Sequence, residues 1–149
     1  IKARFVDNSG MIYESKAIEN LQLERENFSI ELCKPYNIPT HWATRNEKKS
    51  QNIFIKGDLS NAFEAVMCWS SWSPCYMDGI YINDSRVFDS EGPCYEYYAH
   101  WIELEDLSFL KEGENIISTG WKQKNEKGEY IHGMEVNYPG IMVLIRYEK

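Results

Sequence analysis

The stretch "DGIYINDSRVFDS", residues 78–90, decides how the chain folds. Ile80, Tyr81 and Ile82 run into Asn83-Asp84-Ser85, and Arg86, Val87 and Phe88 lead back out. Asn and Asp tolerate positive φ and satisfy nearby backbone groups, which a short hairpin requires. The stretch therefore predicts strand, tight turn, strand. Downstream lies "IELEDLSFLKEGENIISTGW", residues 102–121. There Leu107 and Leu110 anchor a short connection and Gly113 turns the chain. The Asn115 side chain is placed to satisfy backbone groups before Ile116-Ile117 opens the next strand.

Outward from this pair, apolar residues recur at every second position. "IENLQLE" (18–24), "FSIEL" (28–32), "NIFIK" (52–56) and "HWIELE" (100–105) all show that period, which suits half-buried strands. "GIMVLIRY" (140–147) is continuously apolar and suits a strand covered on both faces. Turn signals separate these runs at Asn8-Ser9-Gly10, Lys56-Gly57-Asp58, Asp78-Gly79, Glu112-Gly113 and Pro139-Gly140. Short strands at such spacing predict an antiparallel sandwich. One segment resists. In "DLSNAFEAVMCW" (58–69), Leu59, Phe63, Val66 and Met67 fall at helical spacing behind Asp58 or Ser60. A strand from Ala62 to Trp69 is the preferred reading.

The hairpin and the "LKEGENII" run (110–117) together resemble the galactose-binding-like β-sandwich superfamily. That family pattern has the form hYhNGxxV followed by L-K-x-G-x-N-x-I. Its counterparts are Ile80-Tyr81-Ile82-Asn83 with Val87, then Leu110-Lys111-Glu112-Gly113-Glu114-Asn115-Ile116-Ile117. Asp84 stands where the family usually has Gly. The resemblance covers residues 78–120, with weaker similarity through the final strand, and none is evident in the first half. It implies an all-β fold, a single antiparallel jelly-roll sandwich over residues 1–149. Members include non-catalytic carbohydrate-binding modules and accessory domains of glycoside hydrolases and polysaccharide lyases. The implied setting is a secreted or cell-surface protein in which this domain is linked to a catalytic one. Members often carry a structural calcium near the chain ends. Asp7, Asn8 and Glu135 are the candidates by position, because calcium takes about six to eight oxygens from irregular loops; no other cofactor is expected.

The chain has 149 residues, enough for one domain with a real core. Its net charge of −7 repels phosphate backbones and argues against nucleic acid as a partner. The run Arg45 to Lys49 reads as a solvated loop. No apolar stretch approaches the roughly 18–20 residues of a membrane span. The start, "IKARFVDNSG", has no initiator Met or signal-type apolar run, and reads as a domain cut from a longer parent. Four cysteines, Cys33, Cys68, Cys75 and Cys94, allow three connectivities. Cys75–Cys94 is the first choice because both flank the same hairpin.

No nucleophile elbow, phosphate loop, zinc signature or calcium loop is present. His41, His100 and His132 share no ligand spacing. Carboxylates are abundant, but nothing singles out a glycosidase pair. The function that the resemblance implies is non-catalytic binding of poly- or oligosaccharide. Its alternatives are a structural domain packed on a catalytic one, and a glycan-active enzyme in its own right. Aromatic residues are 14% of the chain. A sugar needs a flat aromatic face for its C–H side and planar polar groups for its hydroxyls. Trp42, Trp72 and Trp121 sit among polar and turn residues and are the expected stacking platforms, with Tyr76 beside them. His41, Arg45, Gln123, Asn125 and His132 are the expected polar partners. Trp69 continues an apolar strand and reads as core. Trp101, alternating with Ile102 and Leu104, could face either side, with the core favoured.

Overall fold

A computed structural model describes residues 4–6, 12–14, 20–24, 27–40, 42–43, 48–89, 91–121, 127 and 133–149. Twelve strands appear among them: β1 (Arg4–Val6), β2 (Ile12–Glu14), β3 (Asn20–Glu24), β4 (Phe28–Cys33), β5 (Lys49–Ile55), β6 (Ala62–Trp72), β7 (Met77–Ile82), β8 (Ser85–Asp89), β9 (Tyr97–Glu103), β10 (Gly113–Trp121), β11 (Glu135–Val136) and β12 (Met142–Glu148). Every pairing among them is antiparallel. A smaller sheet has the order β5-β10-β7-β8. A larger one has the order β11-β6-β12-β4-β3, with β9 on the other side of β6, and β1-β2 form a separate hairpin.

The ambiguous segment is a strand, as preferred, preceded by one short turn. Leu59–Asn61 form one 3-10 turn, capped by the Asp58 carboxylate accepting from the Ser60 amide at 2.9 Å. Then β6 runs for eleven residues. Alternation along it turns Ala65, Met67, Trp69 and Ser71 inward. They meet Val143 and Ile145 of β12 on the same sheet, and Ile53, Ile55, Ile80, Ile82 and Ile117 from the smaller one. Two sheets therefore close on one core, each buried Ile contributing roughly 2–3 kcal/mol.

The halves of the deciding motif meet in space. Asn83 and Asp84 take φ of 48° and 67°, the geometry a two-residue hairpin demands. Asn83 Nδ2 donates to Asn115 Oδ1 at 2.8 Å and to the Phe109 carbonyl at 3.0 Å. The Ile116 amide donates back to Asn83 Oδ1 at 3.1 Å.

A buried carboxylate ties the two sheets at the far end. Glu31 on β4 is 1% exposed. It accepts from the amides of Lys56 and Gly57, at 2.9 and 3.0 Å, and from the Tyr147 hydroxyl at 2.8 Å. Burial, and then the bond to Glu31, push the Tyr147 phenol far above its ordinary pKa. Position 57 must be glycine because a Cβ there would lie 2.3 Å from Tyr147 Cζ.

Cys75 and Cys94 form a disulfide across a sequence separation of 19, while Cys33 and Cys68 are free thiols. Beside the bridge, the Tyr95 amide donates to Ser73 Oγ at 2.7 Å and the Ser73 amide to the Glu96 carbonyl at 2.9 Å. Replacing both bridged cysteines with serine lowers stability by about 3 kcal/mol, the loop-entropy value for a ring of this size. Urea unfolding reads the effect. An unchanged midpoint would show that the Ser73 bonds hold the loop alone.

Candidate functional site

Antiparallel partners project to the same face of a sheet. On the face of the larger sheet that points away from the core, the register therefore lays out three rows. Ala43 pairs with Glu135, Glu135 with Trp72, and Trp72 with Tyr97. Next along the strands come Asn137, Ser70 and Ala99. Asn137 donates its amide to the Ser70 carbonyl at 2.9 Å and its Nδ2 to Ser70 Oγ at 2.7 Å, while Ser70 pairs with Ala99. The third row pairs Cys68 with Trp101.

The heights of these side chains make a trough. Tyr97 and Trp101 are 72% and 67% exposed, and Trp72 stands 5.0 Å from Tyr97, ring to ring. Between the aromatic rows the floor is short and partly polar, made by Ser70, Ala99 and Asn137. Four residues separate the Tyr97 and Trp101 positions, about 13–14 Å at the usual strand rise. A cleft of ≈ 210 Å³ shares Glu135 and Asn137 with these rows and includes Tyr138, itself 77% exposed.

Of the expected platforms, Trp72 alone is seen in this arrangement. Trp42 is a correction: it is 4% exposed, and its Nε1 donates to Thr119 Oγ1 at 2.8 Å. Its segment reads as a polar loop but extends the sheet. The Val136 amide donates to the Trp42 carbonyl at 3.0 Å, so Ala43 faces out and the indole faces in. Trp101 is the opposite correction, favoured as core and found exposed. Tyr76 is half-buried and donates its hydroxyl to Tyr95 at 2.8 Å, beside the disulfide. Trp121 ends β10, and its side chain lies outside the described residues, as do His41, Arg45, Gln123, Asn125 and His132. The calcium candidates Asp7 and Asn8 lie outside them too, while Glu135 is an exposed strand residue beside Trp72.

Trp101 and Ser70 are the residues sequence reasoning missed, while Tyr97 is one of three tyrosines in 94–101 that it placed either under the sandwich edge or beside a site. The parity of "YYAHWIELE" held the signal. Tyr98, His100, Ile102 and Leu104 share one face, so Trp101 belongs with Glu103 and Glu105 and points outward.

Inside the sandwich, Ser71 Oγ and His100 Nε2 lie 2.9 Å apart, which superficially resembles a nucleophile–base pair. Ser71 is 0% and His100 4% exposed, so no substrate reaches them. His100 stacks on Trp69 with centroids 4.2 Å apart and rings within 8° of parallel. Burial lowers its pKa from 6.5 to about 4, so the folded protein holds it neutral. The unfolded chain binds a proton below pH 6.5 that the folded form refuses until about 4. Stability therefore falls as pH drops through that window. Melting curves from pH 7 to 4.5 are expected to flatten in His100→Gln relative to the parent. Parallel curves would refute the assignment.

No protein-family profile matches the sequence, and no curated protein is similar enough to count as a relative. Solved structures are similar in fold. A structure of BuGH86 in complex with neoagarooctaose aligns with 97% of this chain at 13% identity and a TM-score of 0.52. BpGH86A, a beta-porphyranase of glycoside hydrolase family 86 from the human gut bacterium Bacteroides plebeius, aligns with 99% at 14% identity and a TM-score of 0.51. The chain spans 26% and 29% of the lengths of these two proteins. At such identity the likeness is one of fold.

Proposed function

We propose that this domain is a non-catalytic carbohydrate-binding module, a galactose-binding-like jelly roll carried by a larger secreted glycan-degrading protein. The observation that carries the reading is the outward pair Tyr97 and Trp101 flanking a short polar floor. Both rings stand largely exposed among the described residues, as a binding surface requires. They present flat apolar faces to the C–H side of a pyranose, while Asn137, Ser70 and Glu135 offer hydrogen-bonding groups beside them. Weak binding at one such site becomes effective through linkage to a catalytic partner. The likeness to one segment of family 86 hydrolases supports that setting. The test is titration of the isolated domain with neoagarooctaose, the sugar present in one of those structures, followed by tryptophan fluorescence. A saturable change supports the proposal; a flat response here and across a glycan array sinks it.

A second reading rests on a different sector of the same outer face. Phe28, Ile30, Leu32, Leu144 and Met142 form an apolar, half-buried sector there. Such a surface suits contact with a neighbouring domain. The two readings are compatible, since the apolar sector lies on β4 and β12 and the aromatic one on β6 and β9. Concentration-dependent self-association of the isolated domain, relieved by Leu144→Lys, would favour the second.

A further inference from the structure

We infer that the Cys75–Cys94 bridge is a redox control on the aromatic site: its reduction by an external dithiol releases the Tyr97 end of β9 and weakens saccharide binding. This rests on the saccharide-binding reading and adds a regulation of that same site.

The control follows from where the bridge sits. Trp72 and Tyr97 are the last pair of the β6–β9 ladder, with ring centroids 5.0 Å apart. Beyond Trp72 the chain leaves the larger sheet, builds the β7–β8 hairpin of the smaller one, and returns to open β9 at Tyr97. The bridge joins the outgoing crossing to the returning one, three residues past Trp72 and three residues before Tyr97. Among the described strands β9 pairs with β6 alone. A strand held on one side opens most readily from its end, and the bridge closes that end.

Polar ties run alongside the covalent one. The Ser73 amide donates to the Glu96 carbonyl at 2.9 Å, and the Tyr95 amide to Ser73 Oγ at 2.7 Å. The Tyr76 hydroxyl donates to that of Tyr95 at 2.8 Å. Each of these bonds needs the two crossings side by side, and the bridge sets how often they are. Opening it restores chain entropy to the 19-residue separation it closes, so the ladder frays from Tyr97 inward. Trp101 pairs with Cys68 four residues further along and keeps its place.

The bridge is open to attack. Cys94 is exposed and Cys75 half-buried. A thiolate of the dithiol attacks Cys94 Sγ, the Sγ–Sγ bond breaks, and Cys75 leaves as a thiolate that takes up a proton. The second thiol of the reagent then closes the reagent's own disulfide, and Cys94 departs and is protonated in turn. The dithiol is oxidised by two electrons and the bridge reduced by two.

The experiment compares the domain with its bridge intact, the domain reduced by dithiothreitol, and the Cys75→Ser, Cys94→Ser variant. Hydrogen exchange comes first and needs no ligand. The Ser73 and Tyr95 amides are expected to exchange faster without the bridge, while those of β12 keep their protection. Titration with neoagarooctaose, or with the strongest ligand from a glycan array where that sugar is flat, is then expected to show affinity about three- to thirtyfold weaker. The upper bound is the loss of one whole stacked ring. In Tyr97→Ala, reduction is expected to change affinity by less than about twofold, because the ring it would release is already gone. Unchanged exchange at Ser73 and Tyr95, a global loss of sheet on reduction, or an equally large reduction effect in Tyr97→Ala overturns the control. Equal affinity of the oxidised and reduced domain overturns it too and leaves saccharide binding standing. Absence of saccharide binding in both states overturns the binding reading and the control together.

Discussion

Asn115→Ala costs the domain about 3–5 kcal/mol, a large share of the roughly 5–15 kcal/mol that holds a domain folded. Asn115 is 0% exposed and every arm of its amide is engaged. Oδ1 accepts from the Lys111 amide at 2.9 Å and from Asn83 Nδ2 at 2.8 Å. Nδ2 donates to the Lys111 carbonyl at 2.7 Å and the Gly113 carbonyl at 3.2 Å. Alanine leaves these partly buried partners unmatched, and each orphan costs on the order of 1–3 kcal/mol. The damage spreads, because the same side chain fixes Asn83 and thereby the β7–β8 turn. Urea denaturation measures the loss, with Asn115→Asp as an intermediate that keeps the acceptor and loses the donor. A loss below about 1 kcal/mol would mean that water replaces the side chain and that the motif is not a clamp.

The double variant Tyr97→Ala, Trp101→Ala is expected to abolish measurable saccharide binding while folding normally. A buried aromatic covers about 150–250 Å², and a stacked sugar covers about half of that. At roughly 25 cal/mol per Å² each ring contributes about 2 kcal/mol, near thirtyfold in affinity. Losing both should carry a weak binder out of range. Because these rings are mostly exposed, the melting temperature should hardly move. Retained affinity in a folded double variant would remove the trough from the mechanism.

Much of the fold was legible because it is local. The Asn83-Asp84 turn announces a hairpin from four residues, and the period of two in β4 and β5 survives any ambiguity in register. The continuous apolar run of β12 also told the truth about two covered or half-covered faces: Val143 and Ile145 point inward, Met142 and Leu144 outward. The site was harder, because exposure is a property of pairing. Trp42 lies in a Pro-containing, polar stretch, and only a partner distant in sequence, Val136, converts that stretch into sheet. Trp101 was within reach: Glu103 and Glu105 share its parity. Ser70 carries no signal, since its role as floor depends on what rises on either side.

The alternation of β9 links recognition to folding. His100 is locked under Trp69 by the same pleat that raises Tyr97 and Trp101 into water, so the strand acts as a ruler with a reading frame. One residue inserted between Tyr98 and His100 would invert the faces on one side of the insertion relative to the other. The imidazole and the Trp101 indole could then no longer keep their present faces beside Tyr97. Exchanging one ring for another, Tyr for Trp or Phe, keeps that frame, whereas a change in the length of this one strand does not.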